Sequence, residues 1–313
     1  ATRAFFDKHE YFGLSSDQVF FFTQGMLPAV DENGKILLKS QSEIFMSPDG
    51  TGGIYEALVR SGSLDRIKHN NIKYLLYTQI DNPLIGIVDP LFLGYHIQNS
   101  AEMSTKVVEK TKPDEKVGLL VEKDGKTDVI EYIDMSEEMA AERDSKGHLK
   151  FNAANIAMHI INTDLIENVQ YKDMLKYHIQ KKKVPHINEN GGKVEPEEKN
   201  AYKFEQLVFD VLPMTKNSVT YMVRRKDEFA PIKNAKGSNS PDTAREMQVT
   251  LYKSWLEAAG IDKEIIEGLG SVEVSPLFAV NKEEFVRKVR PDASTWNEQL
   301  HGTNEYVFDE KTS

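Results

Sequence analysis

Eight residues, Met46-Ser47-Pro48-Asp49-Gly50-Thr51-Gly52-Gly53, constrain this chain more than any other stretch. Three glycines and a proline stand directly before Ile54-Tyr55-Glu56-Ala57-Leu58, whose apolar positions 54, 57 and 58 have helical spacing, so the segment reads as a tight loop feeding a helix N-terminus. Without Cβ atoms the backbone can approach a ligand closely, and the first amides of a helix have no internal partner. Such a corner suits an anion or a flat ring, and equally a glycine-rich turn with no ligand.

The elements around this corner set the fold class. A helix over 2–9 is closed by Gly13, and Phe20-Phe21-Phe22 predicts a buried strand over 19–23 that ends at Gln24-Gly25-Met26-Leu27-Pro28. After a turn at 31–35 and a strand at 36–38, a helix over 54–70, a strand over 72–80 and a helix from Asp89-Pro90 to about 100 follow. This alternation predicts a largely parallel α/β sheet over 19–100, with strands 103–110, 118–123 and 127–133 as an antiparallel extension. Helices are expected at 136–144 and 163–180, with Lys181-Lys182-Lys183 as a solvated helix end, and a hairpin around Asn190-Gly191-Gly192. Residues 203–212 are apolar at helical and strand spacing alike and are read as helix, before a strand at 219–224. The stretch 234–241 has linker composition, and Ser240-Pro241-Asp242-Thr243 opens a long helix to about 259. A helix at 262–267, a strand at 271–276, a helix at 282–288 and a patternless polar tail complete the chain. The expected division is a central domain over 1–235 and a helical or α+β C-terminal region over 236–313.

Composition narrows the function classes. A formal net charge of -10 argues against general affinity for nucleic acid, which needs clustered Lys and Arg. No apolar run approaches the roughly 20 residues of a membrane helix. There are no cysteines, so disulfides, thiolate metal sites and thiol nucleophiles are excluded, and the composition fits a reducing cytoplasm. Neither a nucleophile elbow nor metal-ligand spacing among the eight histidines is present.

Residues suited to chemistry sit where an α/β sheet collects them, at the C-terminal ends of strands, as Gln24, Gly50 and Asp81 do. Asp81, fixed by the Asn82-Pro83 turn, is placed to hold a divalent cation against phosphate oxygens, or serves as a turn former. Asn152 and Asn155, three apart in an apolar setting, need partners, and a sugar hydroxyl and the backbone are rivals for them. Lys233, in the loop Phe229-Ala230-Pro231-Ile232-Lys233-Asn234, is a phosphate clamp or a surface charge. The chemistry suggested is positioning and charge neutralisation of a phosphorylated ligand.

Several stretches together resemble one family. They are 21–28 (Phe-Phe-Thr-Gln-Gly-Met-Leu-Pro), 47–53, Asp81-Asn82, Lys106-Val107-Val108-Glu109-Lys110-Thr111, Val129-Ile130-Glu131-Tyr132, Phe151-Asn152-Ala153-Ala154-Asn155-Ile156 and 229–235. Their order and spacing over residues 2 to about 260 resemble the UDP-N-acetylglucosamine pyrophosphorylases. The resemblance implies a Rossmann-like nucleotidyltransferase fold with a mixed sheet. It also implies Mg²⁺-assisted uridylyl transfer from UTP to a sugar 1-phosphate, giving a UDP-sugar and pyrophosphate. It further implies that Gln24, Gly50 and Thr51 read the nucleotide, that Asp81 ligates the metal and that Lys233 steadies charge on the phosphates. Gly118, Glu131, Tyr132, Asn152, Asn155, Leu207 and Phe209 are then the sugar pocket.

Two departures from the family pattern stand out. Leu207 replaces a frequent aromatic residue and Thr51 a usual Asn, which leaves glucose or galactose phosphates open beside N-acetylglucosamine 1-phosphate, within a UDP-glucose or broad UDP-sugar pyrophosphorylase. The family's glycine-rich Leu-Ala-Gly-Gly-Gln-Gly-Thr-Arg-Leu-Gly loop, which carries the pyrophosphate-binding arginine, is not in this sequence, and that lends weight to a non-catalytic UDP-sugar-binding protein. The expectation is that residues 1–313 are a C-terminal portion and alone transfer no uridylyl groups; pyrophosphate release from UTP by the purified chain would overturn it.

Overall fold

The computed structural model describes residues 1–87, 89–169 and 175–311. Helix α1 (Thr2–Lys8) leads into a turn that ends at Gly13 with φ +81°. The strand expected at 19–23 is not formed: the segment is extended but outside any ladder, and Phe22 is 38% exposed. Its aromatic rings are held by side chains, with Arg66 over Phe20 at 3.7 Å and Arg3 over Phe21 at 5.2 Å. Strand β1 (Met26–Pro28), the hairpin of β2 (Leu38–Ser40) and β3 (Glu43–Ile44), and β4 (Met46–Pro48) follow, with β4 antiparallel to β1. The glycine corner then enters α2 (Ile54–Arg60) and α3 (Ser63–His69), one expected helix divided in two by Gly62 at φ +72°.

Next come β5 (Tyr74–Tyr77), α4 (Pro90–Gln98), β6 (Met103–Glu109), β7 (Leu119–Lys123), β8 (Lys126–Ile130), α5 (Glu137–Ala141), β9 (Ala153–Asn162) and α6 (Thr163–Val169). Asp89 caps α4 by accepting the Leu91 and Phe92 amides at 3.0 Å each. The central sheet is mixed, in the order β14-β6-β9-β7-β8, where β14 is Ser218–Val223, and β5 also pairs with β9. Only β14 and β6 run parallel in it; β5 is antiparallel to β9. The largely parallel sheet expected over 19–100 is therefore not what forms. Alternation of strands and helices does not reveal pairing partners, and the unexpected ten-residue β9 takes the centre and pairs antiparallel with β5, β6 and β7. β9 bulges opposite Lys106 and Val107, where Ala157 adopts φ +56° and its amide donates to Asn155 Oδ1 at 2.8 Å.

Further corrections concern the segments that follow α6. Of the helix expected over 163–180, Thr163–Val169 is helical; residues 170–174 lie outside the described residues, and 178 begins β10 (His178–Lys182), so the expected helix does not reach 180. The basic run 181–183 thus starts on a strand, with Lys181 paired to Glu32, and is not a helix end. β11 (His186–Ile187) and β12 (Lys193–Val194) make the expected hairpin. The ambiguous 203–212 splits, because β10 offers a partner to its first part: β13 (Ala201–Glu205) pairs with β10, and Val208–Met214 is a 3-10 turn.

Beyond β14 lie α7 (Arg225–Glu228), α8 (Pro241–Ala259), α9 (Lys263–Gly268), β15 (Ser271–Val274), α10 (Lys282–Val289), α11 (Ala293–Leu300) and β16 (Glu305–Phe308). The tail without sequence pattern thus forms α11 and β16, which pairs parallel with β15. α8 runs from the Ser240 cap to Gly260 at φ +90°. No described helix is long and apolar enough to cross a membrane.

One face of the sheet buries Met103, Val107 and Ile161 against Tyr55, Leu58, Leu64 and Ile67 of α2 and α3. The other carries Val108, Ile156 and Met158. A second centre gathers Trp255, Leu256, Phe285, Trp296 and Phe308. Phe285 is fully buried, with its ring 5.0 Å from that of Phe308 at 77°. Phe285→Ala is expected to cost about 3–5 kcal/mol, read as a lower midpoint in urea denaturation.

Candidate functional site

The glycine corner is fastened before it can meet a ligand. The Gly52 amide donates to the Gln206 carbonyl at 2.7 Å, and the Gln206 amide donates to the Asp49 carbonyl at 2.8 Å. A Cβ on Gly52 would stand 2.8 Å from the Gln206 carbonyl carbon, and Gly50, at φ +90°, presses on the same residue. Thr51 Oγ1 accepts the Val208 amide at 3.1 Å, and the Tyr55 hydroxyl donates to the Val208 carbonyl at 2.6 Å. The glycines are therefore required first by a backbone-to-backbone approach.

Beside the corner, Gln24 projects from the coil before β1 and its Nε2 donates to the Gly50 carbonyl at 2.6 Å. Behind it the Asp49 carboxylate is wedged between Gly25 and Gly53, neither of which has room for a Cβ. Burial pushes the Asp49 carboxyl above the usual range, and its Oδ1 has no hydrogen-bond partner. Tyr77 joins the corner to the next group: its hydroxyl lies against Thr51 and Gln79, and burial raises its pKa. Beneath it, the buried His159 imidazole accepts from or donates to Thr105 Oγ1 at 2.9 Å and is held neutral by burial, its pKa lowered to about 3.

Asp81 follows β5 and forms an ion pair with Lys233, 152 positions later. The two segments are stitched by the Ile232 amide donating to the Asp81 carbonyl at 2.7 Å. Asn82, buried, donates from Nδ2 to the Glu228 carbonyl at 2.8 Å and accepts the Ala230 amide at 2.9 Å. Among the described residues no group of three acids or histidines stands together as a metal cage.

A second set of expected residues lies around the β7–β8 end. Gly118 accepts the Asn155 amide at 2.9 Å, and a Cβ on Gly118 would stand 2.6 Å from Glu131 Oε1. Burial raises the Glu131 carboxyl, opposed by the field of His178. Asn152 uses its carbonyl for the Lys110 amide at 2.8 Å, while Tyr132 is 45% exposed. The Leu207 amide donates to Asp210 Oδ2 at 2.7 Å, and Phe209 is buried in the core under β8. Gln24, Gly50 and Thr51 are thus joined to Leu207 through Gln206 and Val208, while Tyr77 links Thr51 to Gln79, two positions before Asp81.

Sequence reasoning missed several members. His178 Nε2 lies 2.8 Å from Asp210 Oδ1, but it stood in a stretch read as helix. Asp49 was inside the opening motif without a role, and Lys106 was a charge inside an apolar strand, a signal that a buried partner must exist. A hollow of about 400 Å³ lined by Leu277, Phe278, Lys288 and Trp296 shares no residue with this group.

A family model described as UTP–glucose-1-phosphate uridylyltransferase matches residues 1–252. The chain is similar to the UDP-N-acetylglucosamine pyrophosphorylase of Saccharomyces cerevisiae, at 40% identity over 92% of this chain and 62% of that protein. It is similar to UDP-N-acetylglucosamine diphosphorylase 2 of Arabidopsis thaliana, at 39% identity over 88% of this chain and 55% of that protein. The crystal structure of the uridine diphosphate N-acetylglucosamine pyrophosphorylase of Trypanosoma brucei in complex with inhibitor superposes with a TM-score of 0.86 at 29% identity, covering 100% of this chain and 65% of that one. The chain spans 55% to 62% of the length of these two curated relatives.

The raised Glu131 carboxyl has a checkable consequence. Its folded-state pKa lies above the unfolded one, so its contribution to stability is present below about pH 4.3 and lost as pH rises through the folded value. Glu131→Gln is therefore expected to melt at or above the wild-type temperature at neutral pH, with the difference vanishing in acid, as measured by thermal scans across pH.

Proposed function

The chain belongs to the UTP–glucose-1-phosphate uridylyltransferase family, and on that premise we propose that it serves uridylyl transfer from UTP to N-acetylglucosamine 1-phosphate, giving UDP-N-acetylglucosamine and pyrophosphate. The observation that carries this reading is the Asp81–Lys233 ion pair, with side chains 28% and 53% exposed, in the loop that follows β5. A carboxylate and an ammonium so placed are the two groups that phosphoryl chemistry requires, one for a cation and one for phosphate oxygens. The names of the relatives support N-acetylglucosamine as the sugar.

In this reading the Gln24 amide exchanges the Gly50 carbonyl for the donor and acceptor edge of uracil, while Gly50 and Thr51 form the wall. Glu131 accepts from sugar hydroxyls, with Gly118 leaving room beside it. Tyr132, Asn152, Asn155, Leu207 and Phe209 line or back the same pocket. Lys233 turns from Asp81 to the phosphates as the sugar phosphate oxygen attacks the α-phosphorus in line.

Mg²⁺ commonly uses one or two carboxylates with substrate phosphates and keeps waters for the rest; Asp81 would hold it as a single carboxylate, since no group of three acids or histidines stands together among the described residues. When bound, that ion neutralises phosphate charge. Thr51 and Leu207 favour a second reading with relaxed sugar choice, in which glucose or galactose 1-phosphate is also accepted. The absence of cysteine is in keeping with a cytoplasmic place of work.

The deciding experiment measures pyrophosphate release by the full-length protein from UTP with each of the three sugar phosphates. Preference for the N-acetylated sugar is expected, and UDP-sugar binding without any release would overturn the reading. Asp81→Asn is expected to lower turnover by orders of magnitude with an unchanged circular dichroism spectrum.

A further inference from the structure

Lys106 stands in the middle of β6 with 0% exposure, and the proposed chemistry does not use it. A bare ammonium in an interior is costly, so its partners reveal what it is for. They are Asp89 Oδ2 at 2.8 Å, Glu228 Oε2 at 2.7 Å and Oε1 at 3.0 Å, and the Gly86 carbonyl at 3.4 Å, with the Phe92 ring 5.6 Å away. Glu228 Oε2 also accepts the Gly86 amide at 3.3 Å. Although burial alone would raise the Asp89 carboxyl, the hydrogen bond from Lys106 leaves it below its usual range.

The two carboxylates come from two different segments. Asp89 and Gly86 close the loop that starts at Asp81; Glu228 ends α7, immediately before the loop that carries Lys233. The ammonium is thus clamped between the two stretches of chain that bear the ion pair, and touches neither Asp81 nor Lys233. From Glu228 the connection is continuous. Its carbonyl accepts Asn82 Nδ2 at 2.8 Å, Asn82 Oδ1 accepts the Ala230 amide at 2.9 Å, and the Ile232 amide meets the Asp81 carbonyl at 2.7 Å. An apolar residue of similar volume would fill the same space without the desolvation cost, so filling alone does not account for a lysine here.

We propose that Lys106 is a positioning residue that holds the Asp81 and Lys233 segments in register through Glu228, Gly86 and Asp89. The proposal rests on the reading that Asp81 and Lys233 serve the phosphates. A misplacement of about 1 Å at reacting groups costs on the order of a hundredfold in rate, so the clamp acts on turnover more than on ground-state binding.

The test compares kcat and KM of the full-length protein carrying Lys106→Met with those of Glu228→Gln, Asp81→Asn and Leu256→Ala. Leu256, fully buried in the C-terminal cluster, supplies a destabilised control far from the clamp. Lys106→Met is expected to lower kcat about 10- to 100-fold with KM for UTP nearly unchanged, and Glu228→Gln to lower it less, while Leu256→Ala keeps kcat at temperatures where it remains folded. If Lys106→Met does not fold, Glu228→Gln decides: a selective fall in kcat supports the clamp, and wild-type kcat overturns it. A folded Lys106→Met with wild-type kcat, or a loss matched by Leu256→Ala, also overturns the proposal. If Asp81→Asn itself keeps full turnover, it is the underlying reading that fails, whatever Lys106 does.

Discussion

Two backbone hydrogen bonds, from Gly52 to Gln206 and from Gln206 to Asp49, hold the candidate site together. They draw a loop and a strand end, more than 150 residues apart in sequence, to a spacing that excludes any Cβ on Gly50 or Gly52. The glycine corner and the residues around Val208 are hung from that contact, whereas the Asp81 and Lys233 segments are held by Ile232, Asn82 and Glu228. Thr51 and Tyr55 grip Val208, the turn after Val208 places Asp210 against His178 and the Leu207 amide, and Gln24 leans on Gly50 from the other side.

Contacts between some of the residues singled out in the sequence form in the structure, whereas the pairing of the sheet that carries them differs from expectation. Motif spacing pointed to Asp81 and Lys233, which the structure brings into contact, and strands 103–110 and 118–123, the long helix after Ser240 and the 188–192 hairpin follow local rules of pattern and capping. Pairing was not legible, because period-2 patterning says which residues face the core and not which strand lies alongside. Phe20 and Phe21 show the limit well: their apolar run suggested a strand, yet guanidinium and ring contacts satisfy them without a ladder. Residues 203–212 fit either period, and only the presence of β10 decided between them. His178 was hidden for the same reason, since its relation to Asp210 exists only once β10 and β13 pair.

Charges buried near the site divide by how they are compensated. Lys106 has two carboxylates and a carbonyl. Asp49 and Glu131 have little, and burial moves both toward their neutral forms, while His159 is neutral with an unpartnered Nε2. Imperfectly compensated groups of this kind lower the stability of a resting protein and are retained where a ligand or a geometry needs them. The fully compensated cluster lies under the loops, and the poorly compensated carboxyls lie at the glycine corner, against Gly25 and Gly53, and beside Gly118.

Helix α8 ties the two cores in a way that bears on how the molecule behaves as a material. Its first turn is continuous with the Lys233 loop, where the Lys233 and Asn234 amides both donate to the Asn239 carbonyl. Ala244 packs with Leu84 and Ala230, and further along the same helix Trp255, Leu256 and Ala259 build the C-terminal cluster. At 19 residues the rod is about 28 Å long. A rod anchored at both ends resists bending, so this one helix fixes the spacing between the residues it packs against at Leu84 and Ala230 and those it packs against in the C-terminal cluster.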